Sequence, residues 1–276
     1  MTALDRSLAI GPLAFSLGQL LLALALGVAI AAGALAGRRQ RVGVSDTLFT
    51  LLLLALLGAR LVFVVRYWDA YDAWWTMLDI RDRGFDPWGG LAAALIYGSW
   101  RLWRVPRQRR ALGIALLAGG MSWGIAAVTV SQLVPTAGTL PDTRLMTLDD
   151  APQRLDRLPD ARARPLVVNL WASWCPPCRR EMPLLAETQR RRDDIAFAFV
   201  NQGESTAAIR RFLDAESLAM DNVLRDDALA LGEHVGAMAM PTTLFYDAEG
   251  RLVDTHFGEL SQATLTQALA RLASPQ

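Results

Sequence analysis

The apolar pattern of this chain changes character near its middle. Before residue 135 the apolar residues form long runs: Leu13 to Ala36, Thr47 to Val65, Trp88 to Leu102 and Ala111 to Val134. Crossing a bilayer takes about 20 apolar residues of helix. The first, second and fourth runs meet that length, and the short third is expected to tilt or to be partly re-entrant. After residue 135 the runs shrink to strand length. Pro165 to Trp171 and Ile195 to Asn201 read as strands, and so does Leu252 to Phe257. Helical spacing appears after Trp171 through Leu184, Leu185 and Thr188, then over Thr206 to Leu213, Asp227 to His234 and Gln262 to Leu272. Between the halves, Pro135 to Pro165 mixes Pro, Gly, Asp and Arg as a junction does, with Leu145 to Leu148 as an expected short edge strand. The predicted fold therefore has two parts. Residues 1–135 form an α-helical transmembrane domain of about four helices, and residues 136–276 form an α/β domain with a central mixed sheet.

Charge sharpens this division. Residues 1–135 hold 13 Arg and 7 acidic residues, a net of +6, and residues 136–276 hold 15 Arg and 20 acidic residues, a net of −5. A basic half can signal nucleic acid, but these bases cluster at the ends of apolar runs, so no nucleic-acid partner is expected. Arg38 to Arg41 reads R-R-Q-R, and Arg101, Arg104, Arg107, Arg109 and Arg110 follow the third run. The loop from Arg66 to Pro87 holds three Arg against five Asp. Positive loops stay in the cytoplasm. Both termini and the loop from Arg66 to Pro87 are therefore expected outside the cytoplasm. The first run is too long, and its leading flank too poor in bases, for a signal peptide. Trp68, Trp74, Trp75, Trp88, Trp100 and Trp103 sit at or near run ends, as an interfacial aromatic belt would. Arg60 is the one charge inside a run. It is either a functional intramembrane charge or a side chain reaching outward from its helix end.

The chemistry of the second half lies in A-S-W-C-P-P-C-R-R-E-M-P, which follows a buried-type strand and opens a helix. Thiolate is the reactive form of cysteine, and a helix N-terminus favours an anion. Cys175, at that end and expected to be exposed, is the nucleophile. Cys178, one turn on and more shielded, resolves the mixed disulfide. Trp174 is expected to shield the pair on one side. Zinc would need two more ligands. The chain has no further Cys and only His234 and His256, so no metal and no cofactor is expected. A two-residue loop is also a poor structural staple, since cross-link stabilisation grows with loop length.

Two resemblances add to this reading. Residues 165–273 resemble the membrane-anchored TlpA-type branch of the thioredoxin superfamily, through V-V-N-L-W-A-S-W-C-P-P-C-R-R-E-M-P and M-P-T-T-L-F-Y-D-A-E-G-R-L. The resemblance implies a cis Met240–Pro241 bond facing the dithiol and pairing with substrate backbone. It also implies a reductase. Thioredoxins place a proton-transferring Asp six residues before the nucleophile, where this chain has Asn169. Glu181 is the nearest acid in sequence, expected on a solvated face. Pro176 and Pro177 remove two backbone N–H groups from the helix start. In the first half, I-G-P-L-A (Ile10 to Ala14), G-A-R-L (Gly58 to Leu61) and G-G-L (Gly89 to Leu91) resemble the prolipoprotein diacylglyceryl transferase family. That family has a His where this chain has Trp88, and its later G-R-x-x-N-F-x-N motif has no counterpart. An indole cannot serve as a proton shuttle, so this half is expected to be catalytically silent while still contacting membrane lipid.

The expected protein is a membrane-anchored periplasmic thiol–disulfide oxidoreductase acting as a reductase. Its substrate would be a disulfide-bearing periplasmic protein. With no thiols in its membrane half, it would need a separate transmembrane electron donor. An oxidase or isomerase would carry the same residues at a different potential. Lipoprotein diacylglyceryl transfer by the membrane half is the rival from another class, and a non-catalytic interaction module is the third reading.

Overall fold

The computed structural model describes residues 7–10, 13–38, 42–133, 138–158, 164–237 and 239–272. Of the R-R-Q-R loop only Arg38 lies among them. Gly11 and Pro12 of the I-G-P-L-A motif and parts of the Pro135 to Pro165 junction also lie outside. Contacts divide the chain into two compact units, one of Gly18–Leu133 and one that joins Met1–Leu17 to Val134–Gln276.

A short antiparallel hairpin, β1 (Ser7–Ile10) and β2 (Leu13–Ser16), precedes the first helix. The first apolar run therefore begins as a strand, and its helix starts only at Leu17. The helical unit then comprises α1 (Leu17–Gly37), α2 (Ser45–Arg66), α3 (Pro87–Arg104) and α4 (Arg109–Leu133). Three candidate spans, over Leu17–Gly37, Ser45–Arg66 and Pro106–Leu133, are long and apolar enough to cross a membrane. α3 is not among them, and its last turn carries Arg101 and Arg104. Small residues bring α2 and α3 together: a Cβ on Gly58 would lie 2.6 Å from Ala93, and one on Gly89 would lie 2.6 Å from Val62. Large apolar side chains such as Leu24, Leu57, Leu61 and Ile96 face outward, as lipid-facing positions do. Trp68, Trp74, Trp75, Trp88, Trp100 and Trp103 are exposed rather than packed in a core.

Arg60 neither faces lipid nor reaches water. It is buried under the loop between α2 and α3. Its guanidinium donates to Asp82 at 2.9 Å and to the carbonyls of Met77, Gly84 and Asp79 at 3.0, 2.8 and 2.6 Å. The loop thus folds around a charge that its own helix cannot satisfy. Asp86 caps α3 by accepting from the Gly89 N–H and pairs with Arg66 at 2.7 Å. Asp82→Ala would strand a buried cation, a loss of about 3–5 kcal/mol. The expected result is a lower unfolding temperature in detergent and faster proteolysis within 67–86. A variant as stable and resistant as the parent would remove Arg60 from this structural role.

The α/β unit is built on a seven-stranded mixed sheet in the order β4–β3–β7–β6–β5–β8–β9. Its strands are β3 (Leu145–Thr147), β4 (Pro152–Gln153), β5 (Leu166–Trp171), β6 (Ala196–Gln202), β7 (Val223–Asp226), β8 (Thr242–Tyr246) and β9 (Leu252–Phe257). β5, β6 and β7 run parallel, and the other pairings are antiparallel. The predicted edge strand at Leu145 lies one place in from the edge, because Pro152–Gln153 pairs outside it. Every residue of β5 and β6 is buried, as befits strands covered on both faces. Val167, Trp171, Phe197 and Phe199 point to one face. There they pack with α5 (Pro176–Arg191), α6 (Thr206–Ala215) and α8 (Gln262–Leu272). Leu166, Val168, Leu170, Ala196 and Ala198 point to the other, under α7 (Ala230–Val235). β5 runs directly into the turn that carries the cysteines.

Candidate redox site

The site forms where β5 ends and α5 begins. The Cys175 N–H donates to the Ala172 carbonyl at 3.2 Å, closing a tight turn through Ser173 and Trp174. Cys175 is the N-cap of α5, and its Sγ accepts from the Cys178 N–H at 3.3 Å. Pro176 and Pro177 fill the first two helical positions. There their fixed φ suits the helix, but they donate nothing to the sulfur. Cys175 and Cys178 are joined in a disulfide. Cys178 is fully buried and Cys175 is only 4% exposed, so the expectation of an exposed Cys175 does not hold in this oxidised form. Trp174 turns outward instead and is 65% exposed.

Met240–Pro241 is cis. Met240 packs on the same apolar cluster that holds both cysteines. Pro241 leads into β8, whose Thr242 pairs with Leu170 of β5. The structure thus brings Trp174, Cys175, Cys178, Met240 and Pro241 to one end of the sheet.

Glu181 is not on a solvated face. It is 1% exposed, because Cys178, Glu181, Met182 and Leu185 share the inward stripe of α5. It accepts from Asn169 Nδ2 at 2.8 Å and from the Leu260 N–H at 2.8 Å. Burial pushes its carboxyl up to about 8, against the lowering effect of those two donors, and the nearby Glu259 adds to the rise. Asn169 also donates to Thr243 Oγ1 at 3.0 Å. The buried acid of the site therefore lies on the helix, and Asn169, at the position of the thioredoxin Asp, is its hydrogen-bond donor.

One further acid was not singled out from sequence. Glu204, in the turn after β6, accepts from the Ser173 N–H at 2.6 Å and the Ser173 hydroxyl at 2.5 Å. Asn201 donates to it at 2.7 Å, and the Glu204 N–H donates back to Asn201 at 3.1 Å. This clamp grips the turn two residues before Cys175. Its position at the carboxyl ends of parallel strands, where α/β proteins place their sites, was the available signal. Among the described residues no group of His, Cys, Asp and Glu is arranged to hold a metal ion.

Comparison with known proteins agrees with this geometry. Residues 135–272 match the Redoxin family, and residues 7–127 match the prolipoprotein diacylglyceryl transferase family. Thioredoxin-like protein YneN of Bacillus subtilis (strain 168) is 30% identical over 133 residues, covering 47% of this chain and 75% of that protein. Thiol-disulfide oxidoreductase ResA of Geobacillus thermodenitrificans (strain NG80-2) is 28% identical over 165 residues, covering 58% of this chain and 92% of that one. The thiol:disulfide interchange protein DsbE of Pseudomonas fluorescens biotype C is 30% identical over 111 residues, covering 40% and 61%. Among solved structures, MTB dsbF in its mixed oxidized and reduced forms overlays 49% of this chain and 99% of its own at 24% identity, with a TM-score of 0.44. Half of its length lies in the Redoxin match, and the chain belongs to the Redoxin family as a thiol–disulfide oxidoreductase of the ResA and DsbE type.

Proposed function

We propose that this protein is a membrane-anchored disulfide reductase working on the periplasmic side of a bacterial inner membrane. The observation that carries the direction is the start of α5. A dithiol becomes a strong oxidant when its reduced form is stabilised, and N-terminal N–H groups are a main source of that stabilisation. Here Pro176 and Pro177 remove two of them and leave the Cys178 N–H as the donor to Cys175. The reduced form is thereby favoured less, and the pair gives electrons more readily.

In the reductive step the Cys175 thiolate attacks a substrate disulfide and expels one substrate thiolate. The Cys178 thiol then passes its proton to the Glu181 carboxylate and attacks the mixed disulfide. The second substrate thiolate leaves, and Cys175–Cys178 closes. Both substrate thiolates take protons from solvent. Glu181 ends protonated, which agrees with its raised proton affinity in the disulfide form. Glu181 is one turn past Cys178 on the same buried stripe, the spacing at which helix side chains are neighbours. Exposed Trp174 and the Met240–Pro241 segment provide the docking surface for an extended substrate strand.

Re-reduction reverses these steps and requires a partner. The chain contains two cysteines in all, so its helices cannot relay electrons by thiol exchange. The helical unit acts as anchor. α3, 18 residues and about 27 Å long, makes the fourth crossing against α2, and the redox unit then lies on the side opposite the arginine-rich loop. The test is the midpoint potential of the full-length protein in detergent against glutathione. A value below about −200 mV is expected. A value more oxidising than about −180 mV, the isomerase range, would overturn the direction.

A further inference from the structure

Three consecutive residues of the turn between β9 and α8 each bond to a different part of the site. The Gly258 N–H donates to the Pro241 carbonyl at 2.9 Å. Glu259 grips the Arg180 guanidinium through both carboxylate oxygens at 2.6–3.0 Å. The Leu260 N–H donates to Glu181 at 2.8 Å. Gly258 makes the turn with φ of +103°, a conformation open to glycine and strained for other residues. One short strap thus joins the cis-proline segment to Arg180 and Glu181, which are adjacent on α5.

Surface ion pairs add little to stability, yet this one is two-pronged, and its carboxylate side chain is only 18% exposed. What distinguishes it is its neighbour. Arg180 precedes Glu181 on α5, and Glu259 precedes Leu260, whose N–H binds Glu181, so that one neighbour carries the opposite charge and the other the like one. We propose that the Arg180–Glu259 pair sets the pH at which Glu181 releases its proton, and so sets the working range of the dithiol. This rests on the reading of Glu181 as the proton carrier.

The other groups around Glu181 leave that task to the pair. β5 contributes Asn169 and β8 contributes Thr243 through it, both uncharged. The helix contributes Cys178, and the turn contributes the Leu260 N–H. From β9, His256 approaches the Glu259 carbonyl at 3.2 Å. Its imidazole must be controlled for. Glu259 raises the proton affinity of Glu181 beyond what burial does, and Arg180, ion-paired with that carboxylate, brings the opposite charge.

The two halves of the pair therefore have opposite effects. Glu259→Gln removes the like charge and leaves Arg180 uncompensated, so Glu181 ionises at lower pH. Arg180→Gln leaves Glu259 uncompensated, so Glu181 ionises at higher pH. The experiment follows reduction of the Cys175–Cys178 disulfide by dithiothreitol across pH in the full-length protein in detergent. Dividing each rate by that of the same protein carrying Glu181→Gln isolates the proton supplied to departing Cys178. A His256→Asn background removes the imidazole. The midpoint of this ratio should fall by on the order of half a pH unit in Glu259→Gln and rise by a similar amount in Arg180→Gln. The double variant should return to the parent value. Midpoints that stay put, or move the same way in both variants, overturn the proposal and leave the role of Glu181 standing. A ratio flat in pH for the parent overturns the proton-carrier reading itself, and this inference with it.

Discussion

Cys175→Ser is expected to reduce disulfide exchange to background, whereas Cys178→Ser should keep the first attack and stall there. A hydroxyl does not ionise near neutral pH, and exchange proceeds through thiolate. Cys175 is the N-cap, at the open end of α5, while Cys178 is sealed beneath the first turn. Its role depends on proximity: two residues away, it attacks the mixed disulfide as an intramolecular nucleophile, with the large rate advantage this confers. Removing it should convert a transient mixed disulfide into a stable one, visible on a non-reducing gel as adducts through Cys175. The adducts caught in cells also identify the substrates. Neither variant should unfold the α/β unit, because cross-linking so short a loop constrains the unfolded chain little. Adducts accumulating on Cys178 in Cys175→Ser would reverse the assignment. Turnover persisting in that variant would remove the dithiol from the mechanism.

How far the sequence disclosed this arrangement depends on the range of the interactions involved. The dithiol, the helix it opens and the flanking β5 and β6 were legible because each is a local pattern: an apolar run, a turn, a helical stripe. β7 was not. Its four residues, Val223–Asp226, include Arg225 and Asp226 and are too few to show a period. The place of β3 inside the sheet was likewise hidden, since it depends on pairing with β7 far along the chain. Arg60 could be flagged but not explained. Its partners lie 17 to 24 residues away in a loop with no pattern of its own. Glu181 is the instructive error. Its charge suggested a wet face, yet its spacing from Cys178, Met182 and Leu185 already put it on the core stripe of α5. Position in the period outweighed residue type. What made burial tolerable, the Leu260 N–H and the Asn169 amide, comes from 79 and 12 residues away. Only the fold could supply that.

Glu181→Gln is expected to carry the second large effect, on rate and on stability together. As a proton donor and acceptor for Cys178, Glu181 should contribute about 10²–10⁴-fold, the usual range for a positioned acid or base. Gln keeps the size and one accepting oxygen but holds no transferable proton. At neutral pH the variant should therefore lose most of its rate in both resolution and re-reduction, while alkylation of Cys175 in the reduced protein changes little. The stability effect has the opposite sign. In the unfolded chain this carboxyl loses its proton near 4.5, and in the fold it keeps it to about 8. Between these values the folded state binds the extra proton, so stability must fall as pH rises through the window. The group's contribution is intact below the lower value, declines by on the order of a few kcal/mol across the window, and levels off above the upper one. Gln carries no such linkage. Its melting temperature should decline less steeply across the same range, so that the variant gains on the parent toward pH 8. Parallel melting curves for the two proteins would show that Glu181 ionises normally in the fold, and the proton would then have to come from solvent.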